Sequence, residues 1–194
     1  MSVNLASIAP DLPRPITLFP RMTTAQFEQL PDSEYTLELL NGEVIMAARP
    51  RLDRIGFQFR LARLIEDWIR PRRLGLQFQE PEVRLQEGWT PVPDIAFVAT
   101  PNAQRLTPER IVGPPELMVE ILSPTTETTD RGKKFVEYAK AGVPWYWIVD
   151  LDAATLEEYE GVGGAFTNVV TVPFAQPFAP RVFPGLTIDL ASLP

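Results

Sequence analysis

LMVEILSPTTETTDRGKK, residues 117–134, passes from an apolar run through a polar turn into a segment that carries two lysines. Extended to PELMVEILSP (115–124), the apolar half has the composition of a central strand covered on both faces. Its continuation, TTETTDRGKKFVEYAKAG, offers Thr129 or Asp130 as an N-cap. Phe135, Tyr138 and Ala139 form an inward face, and Gly142 is a C-cap glycine. With WYWIVD (145–150) as the next strand, the order strand, helix, strand sets an α/β or α+β domain with mixed pairing. Glu120 is out of place in that strand. A buried carboxylate is costly unless it is paired or binds a cation.

Working toward the N-terminus, VPDIAFVAT (92–100) reads as a strand and LQFQEPEVRLQ (76–86) as strand-like, while the loop 101–114 has room for one helical turn. RIGFQFRLARLIEDWI (54–69) places Ile55, Phe59, Ala62, Ile65 and Ile69 at helical spacing. The spacing predicts a helix lying on a sheet, ended by Pro71 and Gly75. TLELL-NG-EVIMAA is a hairpin with Asn41-Gly42 suited to a type I′ turn, and TTAQFEQL (23–30) is a short helix capped by Thr23 or Thr24. Residues 1–20 are Pro-rich and aperiodic, an extended arm, leaving 21–190 as a single domain. Toward the C-terminus, TLEEYEG (155–161) and the 166–174 region are strands joined through GVGGAF. That glycine stretch lacks the Lys-Ser/Thr of a phosphate loop and the strand-to-helix setting of a dinucleotide site.

Composition narrows the chemistry. The chain of 194 residues has no cysteine and no histidine, which excludes disulfides, thiolate catalysis, HExxH zinc sites and a histidine base. Any metal would be bound by oxygen, as Mg²⁺ or Mn²⁺ is. No apolar run spans a bilayer and the N-terminus does not read as a secretory signal, so the expectation is a soluble, cytoplasmic protein. A net charge of −7 argues against tight non-specific binding to nucleic acid. Residues 49–73, however, hold eight arginines against three acids, a local +5 that leaves −12 for the rest. Arg51, Arg54, Arg60 and Arg63 in this stretch could meet a phosphate backbone, although surface arginines on a helix also serve simply as a solvated face.

Asp94 opens a strand after Pro93. If the strands at 92–100 and 115–123 are neighbours, Asp94 and Glu120 face each other, and two such charges are tolerable with a cation between them. A hard metal held by two carboxylates acidifies a water and neutralises charge on a transferring phosphoryl group. Lys133 or Lys134 would add an ammonium that orients that water or stabilises developing charge.

LELLNGEVIM, PDIAFV, ELMVEILSPTTETTDRGKK, EYAKAGVPWYWIVD and LEEYE together resemble the bacterial restriction-endonuclease-like family long labelled domain of unknown function 820, a branch of the PD-(D/E)XK nuclease superfamily. The resemblance covers roughly 20–185. It implies a restriction-endonuclease-like core, a mixed sheet flanked by helices with an N-terminal hairpin, and a Mg²⁺-dependent (or Mn²⁺-dependent) site that hydrolyses DNA phosphodiesters. On this resemblance Asp94 and Glu120 are the metal ligands. Leu122 stands where the superfamily has its lysine, and Lys134 from the following helix takes that role. Glu43 and Glu38 both match acidic positions at the NG turn, and Glu43 is favoured as third ligand or water-positioner. The histidine that many relatives carry at about Leu52 or Asp53 is missing.

A homodimer would present two such sites to a duplex. Two rival classes stand beside the DNA nuclease. One keeps the fold as a non-catalytic nucleic-acid-binding, regulatory or assembly module. The other is a metal-dependent hydrolase of small phosphorylated molecules, which would need a closed pocket.

Overall fold

The computed structural model of the protein describes residues 21–31, 33, 35–46, 50–123 and 126–193, so the arm expected over 1–20 lies outside the described residues. The main sheet has six strands: β3 (Gly75–Gln79), β6 (Ile95–Ala99), β8 (Leu117–Ile121), β9 (Trp145–Asp150), β10 (Thr155–Val162) and β11 (Ala165–Pro173). Their spatial order is β11-β10-β9-β8-β6-β3. Only the β8–β9 pair is parallel, and a parallel pair needs a crossover long enough to return the chain. Here that crossover is a π-helical turn (Thr129–Lys134) leading into α3 (Phe135–Lys140).

Strand alternation assigns the two faces. Leu117, Val119 and Ile121 of β8 join Ile95, Phe97, Trp147 and Val149 in a core under α2 (Leu52–Arg72). Met118 joins Ala96, Val98, Tyr146 and Ile148 in the core that also takes Tyr138 of α3. By the same period of two, Glu120 points to the α3 side with Met118.

The short helix α1 (Thr24–Phe27) has Thr23 in a reciprocal capping box with Gln26. Strands β1 (Leu37–Leu40) and β2 (Glu43–Met46) form the hairpin, with Asn41 and Gly42 both at positive φ (54° and 76°), as a type I′ turn requires. β5 (Trp89–Thr90) extends this hairpin to three strands. The expected strand 76–86 is instead two pieces, β3 and β4 (Val83–Arg84), because Pro81 lies between them and cannot donate to a ladder. β4 pairs in parallel with β7 (Ile111–Val112), and β12 (Pro177–Phe178) pairs with β13 (Ile188–Asp189). A helical turn does occupy the 101–114 loop, at Thr100–Arg105.

α2 departs from expectation in two respects. It runs on through Pro71 to Arg72 and closes at Arg73, which adopts the left-handed conformation while Leu74 N–H reaches back to the Ile69 carbonyl. Its inward face is Phe57, Leu61, Ala62, Ile65 and Ile69; Ile55 and Phe59 are exposed. The apolar residues at 52, 55, 57, 59 and 61 allow two registers for the first turns, and the sheet selects the one ending on Phe57. Ile65→Val is therefore expected to cost about 0.5–1.5 kcal/mol, while Ile55→Val should stay within about 0.5 kcal/mol of zero. Paired urea melts would check this, and equal losses would reject the register.

Candidate active site

The antiparallel register Ile95↔Val119, continued by one residue, sets Asp94 opposite Glu120. Both are buried, at 4% and 2% exposure. Asp94 is held from three directions. The Ile121 backbone N–H donates to Oδ2 at 2.6 Å, and Arg54 Nη2 donates to both carboxylate oxygens at 2.8 Å. Gln58, one turn further along α2, donates its amide to the Asp94 carbonyl at 3.0 Å. Arg54 Nε is buried with no hydrogen-bond partner.

Glu120 Oε1 accepts from Lys134 Nζ at 3.0 Å and from the Tyr138 hydroxyl at 2.8 Å. The same ammonium lies 2.9 Å from Glu38 Oε1 and 3.3 Å from Asp130 Oδ1. Glu38 Oε1 also accepts from the Val92 backbone N–H at 2.8 Å, which ties the hairpin to the strand bearing Asp94. Tyr146 donates its hydroxyl to the Asp130 carbonyl at 3.2 Å.

The π-helical turn explains how three side chains of one helix reach one spot. In an α-helix of 3.6 residues per turn, each step of four residues drifts by about 40°, so i and i+8 stand about 80° apart. The wider i→i+5 turn offsets that drift, and Asp130, Lys134 and Tyr138 line up inward. Thr128 is already helical and makes no side-chain cap, so neither Thr129 nor Asp130 is the N-cap expected from the sequence; Asp130 turns into the site instead.

The electrostatics follow from burial and crowding. Burial would lower the Lys134 pKa, but Glu120, Glu38 and Asp130 hold it well above the usual lysine value. Glu120 is pushed well above the carboxylate range chiefly by burial, with Asp130, Asp94 and Glu38 adding to it against the pull of the Lys134 ammonium. Burial also raises Asp94 against the pull of Arg54. Tyr138 is raised well above 10.0 by burial beside Glu120. It is therefore a hydrogen-bond donor at neutral pH.

The sequence-predicted residues thus divide. Asp94, Glu120 and Lys134 come together. Glu43 does not join them: it sits at the rim, 3.6 Å from Lys133 and 3.7 Å from Arg21, and Glu38 occupies the inner position. Of the four arginines read as phosphate contacts, Arg54 is inside the site and Arg60 donates to the Leu193 carbonyl. Arg51 and Arg63 are exposed, at ion-pair distance from Asp53 and Asp67 respectively. Sequence reasoning read Asp130 as an N-cap and not as a site residue, and named Arg54 as a phosphate contact but not as the partner of Asp94. Asp130 carried a signal, its i,i+4 spacing to Lys134; nothing in the sequence pairs Arg54 with Asp94.

Among the described residues no three acids converge, as they stand, on one point that could hold a metal ion. The donor set nevertheless suits a hard divalent cation. Four buried carboxylates (Glu38, Asp94, Glu120 and Asp130) face two cations (Arg54 and Lys134), a formal excess of −2. Neither oxygen of Asp130 has a hydrogen-bond partner. All ligands would be oxygens, the set that Mg²⁺ and Mn²⁺ prefer.

A family model described as "Uma2: Putative restriction endonuclease" matches residues 24–191. Among solved structures, one described as a "putative nuclease belonging to DUF820" from Anabaena variabilis superposes with a TM-score of 0.73. That structure is 24% identical, and the match covers 89% of this chain and 98% of the other, so it shows the fold. None of the curated proteins matches the chain. Among the described residues, no helix is long and apolar enough to cross a membrane.

Proposed function

Since the chain belongs to the Uma2 family and has its nuclease-like fold, we propose that it is a Mg²⁺-dependent endonuclease hydrolysing DNA phosphodiester bonds. The observation that carries this reading is the uncompensated charge: a buried cluster with a formal excess of −2 is stabilised by one divalent cation. Asp94 and Glu120 would hold the ion, with Mn²⁺ as an alternative to Mg²⁺. The ion supplies charge neutralisation at the phosphate and an acidified water. Lys134 keeps its proton and presents positive charge to the reacting phosphate, while Tyr138 and Val92 N–H fix Glu120 and Glu38. Arg54, charged and largely buried beside Asp94, would leave it for a phosphate oxygen, a partner that guanidinium groups also favour. Arg51 and Arg63 offer further phosphate contacts from the exposed side of α2. A homodimer, arranged so that both strands of a duplex are reached, completes the proposal.

The test is cleavage of supercoiled plasmid and of single-stranded DNA with Mg²⁺, with Mn²⁺ and with chelator, comparing wild type with Glu120→Gln. Metal-dependent nicking by the wild type that is absent from Glu120→Gln is the expected result. A second reading, a nucleic-acid-binding module without catalysis, is favoured by the two-oxygen cover that Arg54 places over Asp94. Retarded DNA with no cleavage under any metal would select it.

A further inference from the structure

We propose that Asp130 is a positioning residue for Lys134: it keeps the ammonium in the site when a divalent cation takes Glu120. The proposal rests on the metal-dependent reading above and goes beyond it, since a metal on Asp94 and Glu120 displaces an ammonium that now lies 3.0 Å from Glu120.

Three observations say where the ammonium goes. Glu38 and Glu120 each have a second donor, Val92 N–H and the Tyr138 hydroxyl, so neither depends on Lys134 alone. Asp130 has no such donor. It is 1% exposed, neither of its oxygens has a hydrogen-bond partner, and the nearby ammonium is at 3.3 Å. A buried carboxylate left in that state is costly, and a short movement of Nζ toward it makes the missing hydrogen bond. The two residues also share the π-helical turn, whose alignment keeps them within reach without any backbone change. The Tyr146 hydroxyl, donated to the Asp130 carbonyl, anchors that end of the turn.

Asp130 therefore acts on the metal through the lysine. Without it, Nζ has only Glu38 and Glu120 to hold, and it competes with the incoming ion for Glu120. The test is calorimetric titration of Mn²⁺ into the purified full chain, as wild type, Asp130→Asn, Asp130→Glu, Lys134→Gln and the Asp130→Asn/Lys134→Gln double variant. Circular dichroism would establish that each variant is folded. Asp130→Asn is expected to weaken Mn²⁺ binding by about 10- to 100-fold, the range seen for groups that orient metal ligands. In the Lys134→Gln background the same substitution should change affinity at most about threefold, because the group it acts through is gone. Asp130→Glu, which keeps a carboxylate for the ammonium, should recover most of the affinity.

Wild-type affinity in Asp130→Asn overturns the proposal, and so does an equal loss in both backgrounds, which would make Asp130 a direct ligand. Asp130→Glu binding as weakly as Asp130→Asn counts against it in the same way. Absence of Mn²⁺ binding by the wild type has a different meaning. It removes the metal-dependent reading itself, and this proposal with it.

Discussion

Lys134→Met is expected to destabilise the protein by about 3–5 kcal/mol at neutral pH, the usual result of deleting one partner from a buried ion pair. Lys134 is 3% exposed and lies within 3.3 Å of three carboxylates. With the ammonium gone, Tyr138 and Val92 still donate hydrogen bonds, but no positive charge remains among Glu38, Glu120 and Asp130. The loss should depend on pH in a defined direction. Glu120 in the folded wild type has a pKa well above 4.5, so the folded state binds a proton more tightly than the unfolded one. Stability contributed by that proton is present near and below 4.5 and is lost as pH rises through the raised folded value. Lys134 has a raised pKa as well, and its contribution persists below 10.5 and is lost only on passing above the folded value. Across the neutral range the slope therefore belongs to Glu120 and not to Lys134. Removing the lysine steepens it. Urea midpoints of both proteins from about pH 5 to about pH 8 would show the gap widening with pH. A constant gap, or none, would refute the buried charge arrangement.

Asp94→Ala should lower stability by a similar amount, about 3–5 kcal/mol, for a different reason. It strands a guanidinium: Arg54 would keep its largely buried position with both Asp94 acceptors gone, and the Ile121 N–H would lose its 2.6 Å acceptor. Adding Arg54→Met removes the stranded charge, so the double variant should regain much of the lost stability. DNA cleavage should behave otherwise. It is expected to fall by more than about 100-fold in Asp94→Ala, since even groups that only orient a ligand account for 10–100-fold. It should stay down in the double variant. Recovery of cleavage together with stability would mean that Asp94 is structural.

Both predictions depend on residues whose legibility in the sequence differed, and the difference is physical. Glu120 stood out because a carboxylate in MVEIL has no inexpensive place in a two-sided core. Glu38 sits in LELL on the same terms, and the same desolvation argument distinguishes it from Glu43, which follows a turn and stays at the rim. The NG hairpin and the 155–173 hairpin were readable because their turn residues demand positive φ, at Asn41, Gly42, Gly163 and Gly164. The face of α2 was half readable. Ala62, Ile65 and Ile69 fall on the inward side in either register, and only contact with Phe97, Val119 and their neighbours decides for Phe57 over Phe59. Arg54 could not be singled out, because its role comes from the sheet bringing Asp94 to the start of α2. The π-helical turn was equally hidden. Helical periodicity over six residues cannot separate i→i+5 from i→i+4 bonding.

That turn links the spacing of the site's motif to the local helix type. A π-helical turn accommodates one residue more than a regular α-helix needs over the same rise. Losing one residue between Asp130 and Lys134, Gly132 for example, would let the segment relax into an uninterrupted α-helix. The acid, the ammonium and the phenol would then stand at i, i+3 and i+7, with the acid only about 20° from the bearing of the phenol, so all three would still share one face. The same three side chains can therefore be presented at i, i+4 and i+8 with a π-helical turn or at i, i+3 and i+7 without one, so spacing has to be read alongside composition.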